Sequence, residues 1–99
     1  MNMQNLMAQA QKMQRDIQKK QEEINSMEFI GESQAVKVTM SGKKLITKVE
    51  INKSIIKDSE DIEMLEDMIQ IAVNDAISKI DKEIDSKLGM YSHGLNGLM

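Results

Sequence analysis

In MQNLMAQAQKMQRDIQKKQEEINSM, residues 3–27, the positions Met3, Leu6, Ala10, Met13, Ile17, Lys20, Ile24 and Met27 follow one another at alternating spacings of three and four. That is the seam of a coiled coil, and only Lys20 in it is not apolar. The remaining positions are mostly Gln, Lys, Glu, Arg and Ala, which lose little rotamer freedom in a helix, and no Pro or Gly interrupts them. A helix over 3–27 is expected. At ~1.5 Å per residue it is a rod of roughly 37 Å, longer than anything else a chain of 99 residues can lay beside it. Part of the seam therefore needs a partner from outside the subunit.

Working outward, the length fits one domain. One Phe, one Tyr and no Trp leave the core to aliphatic side chains and ten Met. A small domain without the large aromatics buries little area, and oligomerisation is the expected remedy. The absence of cysteine excludes disulfides and thiolate metal sites. No apolar run approaches the ~20 residues that span a bilayer, and the N-terminus lacks a signal-peptide core, so a cytoplasmic protein without a membrane partner is the default expectation.

The net charge of −3 argues mildly against a polyanionic partner. Its distribution says more. Residues 1–27 carry Lys12, Arg15, Lys19 and Lys20 against Asp16, Glu22 and Glu23, a balance of plus one. Residues 28–57 carry six Lys against Glu28, Glu32 and Glu50, a balance of plus three. Residues 58–88 carry ten acids against Lys79, Lys82 and Lys87, a balance of minus seven. Acidity is concentrated in one segment.

After the first helix the period changes. Glu28–Ser33 contains Phe29 and Ile30 and is expected to form a short strand, with Gly31 permitting a bend or bulge. Val36, Val38 and Met40 alternate with Lys37, Thr39 and Ser41, and Leu45, Thr47, Val49 and Ile51 alternate with Ile46, Lys48 and Glu50. Around the turn signal Ser41-Gly42-Lys43-Lys44 these runs predict an antiparallel hairpin with a Lys-bearing outer face. Asp58 or Ser59 can cap a second helix whose first turn holds Glu60, Asp61 and Glu63, where the helix dipole favours negative charge. Its stripe, Ile62, Leu65, Ile69, Ala72, Ala76, Ile80 and Ile84, is widened in the middle by Met68, Val73 and Ile77. The wide part suits packing on a sheet, and the narrower Ile80, Ile84, Leu88 spacing suits helix pairing. Gly89 stands where a C-terminal cap belongs, so the expected division is a domain over 1–88 and a flexible tail over 89–99.

The order helix, three strands, helix predicts an α+β fold, a three-stranded antiparallel sheet with both helices against one face. Each helix overhangs such a sheet by roughly 10 Å or more. Burying the overhang against a second copy gives a homodimer with projecting helical arms.

Catalytic constellations are missing. There is no phosphate-cradling Gly loop, no His pair, and no Ser beside a plausible base, so no enzyme, no cofactor and no small-molecule substrate is expected. The single histidine, His93, lies in the Gly-rich tail and reads as a solvated side chain. The methionines fall on the seam and on apolar faces and read as core filling rather than a soft-metal site. The acidic run Asp58–Asp67 lacks the loop and Gly of an EF-hand, and the helix dipole explains it more simply. The basic residues are harder to set aside. Lys12, Arg15 and Lys19 share one helix face away from the seam, Lys20 sits on or beside the seam, and Lys79, Lys82 and Lys87 stand late on the second helix. A solvated surface accounts for any one such face. Phosphates need only a few cations at matching separation, however, and a dimer doubles the number presented.

The chain resembles the YbaB/EbfC nucleoid-associated proteins. The likeness rests on Asn5-Leu6-Met7-Ala8-Gln9-Ala10-Gln11-Lys12-Met13-Gln14 and Gln21-Glu22-Glu23-Ile24 in the first helix. Further on it rests on Gly31-Glu32-Ser33, Val36-Lys37-Val38-Thr39, Gly42 and Lys48-Val49-Glu50-Ile51, then on Met64-Leu65-Glu66-Asp67 leading to Asn74-Asp75-Ala76. These stand in the family's order across nearly the whole chain, although the link between Ser33 and Val36 is short. The resemblance implies a bacterial homodimer whose sheets join the subunits and whose helices project like tweezers. Such a dimer binds double-stranded DNA in the nucleoid with weak sequence preference, altering its conformation, with roles in nucleoid organisation, DNA protection and gene regulation. The candidate phosphate contacts are then Lys12, Arg15, Lys19 and Lys20 with Lys79, Lys82 and Lys87. The alternative is a prefoldin-like interaction or chaperone module, in which paired arms hold a client through exposed Met.

Overall fold

The computed structural model describes the backbone of residues 2–96 and the side chains of residues 2–90. Along the chain run α1 (Met3–Asn25), β1 (Glu28–Ser33), β2 (Val36–Ser41), β3 (Ile46–Ile51), a single 3-10 turn (Lys53–Ile55) and α2 (Glu60–Asn96). The three strands form one antiparallel sheet in the order β1-β2-β3. This is the α+β arrangement the sequence predicts.

Local chemistry sets the helix ends. The Asn2 side chain accepts the Gln4 N–H at 3.0 Å to open α1, and the Ser26 hydroxyl donates to the Glu23 carbonyl at 3.0 Å where it closes. At the start of α2, Asp58 accepts the Glu60 N–H at 3.0 Å while the Asp61 carboxylate reaches back to the N–H groups of Lys57 and Asp58 at 2.8 and 3.2 Å. That reciprocal pair is a capping box. The expected stop at Gly89 is absent, because α2 continues through it to Asn96. A glycine costs a helix only about 1 kcal/mol relative to alanine, and no proline follows to remove a donor. Residues 97–99 of the expected tail, and the side chain of His93, lie outside the described residues.

Between β1 and β2 the short link is a two-residue turn in which Gln34 takes a positive φ of 24°. In the β2–β3 turn the left-handed position is Lys44, φ 65°, not Gly42. Gly42 is there for proximity: a Cβ on it would fall on the carbonyl of Ile24, where the end of α1 crosses the turn. Gly31 plays the same part in β1, since its Cβ would fall on the carbonyl of Ala72 in α2. No bend occurs at Gly31. The irregularity sits instead in β3, where the register slips between Thr39 and Met40, and Thr47 is the extra residue, its hydroxyl donating to the Thr39 carbonyl at 3.3 Å.

α2 lies over β1 and β2, with its small residues Ala72 and Ala76 against Gly31. Two buried clusters result. One gathers Ile24, Phe29, Met40, Ala76 and Ile80; the other gathers Val36, Val38, Met68 and Ala72. Ile84 and Leu88 extend the first cluster alongside Met27, which is the helix pairing their spacing predicts.

The sequence places both helices on one face of the sheet; the structure sets α2 there and brings only the end of α1 to it, where Ile24 joins Phe29, Met40 and Ile80. Ile24 is the one buried residue of α1. Its contact with the Gly42 turn pins the last turn, Ile17, Lys20 and Gln21 in the turns before it are half-buried, and residues 3–15 leave the body as an exposed arm. The molecule is accordingly 71 Å long against 25 and 14 Å. Met3 and Met13, expected as core filling, are therefore 76% and 52% exposed, whereas Met40 and Met68 are buried as expected. β3 is also left uncovered, because α2 stops short of it. Ile51 is half-buried and every other residue of the strand is exposed.

Candidate nucleic-acid interface

The arm carries the clearest cationic site. Lys12, Arg15 and Lys19 are exposed along α1 on the face opposite the apolar seam, and none makes an ion pair or side-chain hydrogen bond among the described residues. Helical spacing of three and four stacks them over about 10 Å. Lys20, on the seam side, is half-buried and engaged within the subunit.

On α2 the lysines differ from one another. Lys82 is exposed. Lys87 pairs with Glu83 at 3.1 Å and lies 3.8 Å from the Met27 sulfur, half-buried where the helices meet. Lys79 donates to the carbonyl of Ile30 in β1 at 2.6 Å and pairs with Asp75 at 3.3 Å. Asp75 in turn accepts the backbone N–H of Glu32 at 3.0 Å, and that bond, with Lys79 beside it, holds its carboxyl below the usual aspartate range. Lys79 and Lys87 thus bind the fold together before they can meet a ligand. Lys12 lies about 22 Å along the arm from Met27, so the seven candidates do not form one patch on a single subunit.

The sheet and the segment after it add cations outside the seven candidates. Lys37, Lys43, Lys53 and Lys57 are exposed. On the outer face Lys48 pairs with Glu50 at 2.9 Å, which raises the lysine pKa and lowers that of the glutamate. Lys44 pairs with Asp81 at 2.9 Å and ties the β2–β3 turn to α2. Asp75 is a residue whose work the sequence hid, the only signal being its i,i+4 spacing from Lys79. Among the described residues no group of three or more His, Cys, Asp or Glu could hold a metal ion, and no helix is long and apolar enough to cross a membrane.

Fold and site together define a small α+β module with a cationic helical arm projecting from a one-helix, three-strand body. Comparison with known proteins places it further. The sequence pattern of the YbaB/EbfC DNA-binding family matches residues 1–95, and the chain belongs to that family. A nucleoid-associated protein of Enterococcus faecalis is 44% identical over 98 residues, covering 97% of this chain and 93% of the relative. Nucleoid-associated proteins of Lactococcus lactis subsp. cremoris strain MG1363 and Ligilactobacillus salivarius are 46% and 42% identical, covering 96% and 99% of this chain and 97% and 95% of the relatives.

Proposed function

We propose that this protein is a non-enzymatic, nucleoid-associated protein of the bacterial cytoplasm that binds double-stranded DNA as a homodimer and alters its path. One observation carries the reading: the first half of α1 stands clear of the body, and Lys12, Arg15 and Lys19 are exposed and make no ion pair among the described residues. These cations meet backbone phosphates, and Lys82 adds a contact from α2. Lys20, Lys79 and Lys87 serve chiefly to hold the elements together. Phosphate contacts position a protein without reading sequence, so preference among DNA sites is weak. No cofactor or small-molecule substrate enters this function. The dimer is supported by the apolar residues of β3, where Ile46 and Val49 are 49% and 47% exposed and no element among the described residues covers them. A subunit this small gains most from burying them against a copy of itself.

A salt titration of duplex binding tests the mechanism. Log affinity falls steeply and linearly with log salt if phosphates are the target; a flat response removes it. The prefoldin-like reading draws on the exposed Met3, Leu6, Met7 and Met13 of the arm. It predicts suppression of client aggregation and no shift of labelled duplex at moderate salt.

A further inference from the structure

The two edges of the sheet are not alike. In an antiparallel ladder a residue points its N–H and C=O the same way, and successive residues alternate between the two sides. On β1, Ile30 and Glu32 turn away from β2, and one backbone group of each is taken: Lys79 donates to the Ile30 carbonyl at 2.6 Å and Asp75 accepts the Glu32 N–H at 3.0 Å. The two side chains pair with each other at 3.3 Å, one turn apart on α2. On β3 the outward groups belong to Val49 and Ile51. The Ser41 N–H donates to the Leu45 carbonyl and the Asn52 N–H to the Ala35 carbonyl, so the odd-numbered residues of β2 face β3, and their partners Lys48 and Glu50 face back. Nothing among the described residues meets the far edge of β3.

We propose that Asp75 and Lys79 form a lock on the edge of β1 that leaves β3 as the one edge able to accept a second copy, and so ends assembly at two chains. The inference rests on the dimer reading above. A sheet open at both ends can add β3 of one copy to β1 of the next, a heterologous contact that never closes. With β1 blocked at Ile30 and Glu32, the remaining pairing is β3 against β3, related by a twofold axis, and it consumes the edge that the described residues leave open on each copy.

Sedimentation velocity across a range of loading concentrations, with hydrogen exchange at the Glu32 amide, tests the lock on the full chain. Wild type stays at two chains with a protected Glu32 amide. Asp75→Ala with Lys79→Met loses that protection and shows at least about a doubling of mass with loading. Lys79→Met alone, which keeps the Asp75 bond, shows the same growth more weakly and decides the matter if the double variant does not fold. A double variant that exchanges Glu32 freely yet remains at two chains overturns the lock and leaves the dimer standing. A wild type that sediments as a single copy overturns both.

Discussion

At Gly31 a single hydrogen atom is all that separates β1 from the backbone of α2, because a Cβ there would meet the Ala72 carbonyl and the Ala76 N–H. Those are backbone groups that cannot swing away. Gly31→Ala is expected to cost about 3 kcal/mol, read as a lowered urea midpoint. Asp75 gives a second prediction at this scale. Its carboxyl is held below its ordinary range by the Glu32 N–H and by Lys79, so its stabilising contribution is complete at neutral pH and is lost as pH falls through the depressed value. Asp75→Ala should therefore be less stable than wild type at pH 7, with the gap between them closing in strong acid, as urea midpoints across pH would record.

Among the elements, α1 separates what a sequence can disclose from what it cannot. Its seam is a local pattern, and so are the alternation of β2 and the capped, acidic first turn of α2; each was legible. What was not legible is where the seam is used. Ile24 and Met3 look alike in the pattern, yet one is buried and the other is 76% exposed, because the contact of Ile24 with the Gly42 turn is set by tertiary approach. The same blindness hid β3: alternation marks an apolar face without saying whether α2 extends far enough to cover it. For the candidate site, composition and spacing found the cations of the arm, but only the fold shows that Lys79 and Lys87 are already engaged. Replacing Lys12, Arg15 and Lys19 by Ala should weaken duplex binding on all sequences and reduce the slope of log affinity against log salt by ~0.9 for each phosphate contact removed. Ile24→Ala, at the buried end of the arm, should cost about 3 kcal/mol in a denaturant titration.

For the molecule as a whole, the dimer proposed above gives the exposed strand and the exposed arm one explanation, a subunit completed by its copy. Val49→Lys places a charge on the uncovered face of β3 and should yield a folded single copy by sedimentation, with weaker duplex binding because the two arms no longer act together. The exposed length of the arm, residues 3–15, held only from its half-buried end, is mechanically a cantilever. A rotation of about 10° there swings a ~20 Å lever by about 3 Å at its tip, nearly the rise between stacked bases. In the proposed dimer, small repacking around the half-buried Ile17 and Lys20 therefore resets the gauge between the two tips without disturbing either cluster in the body.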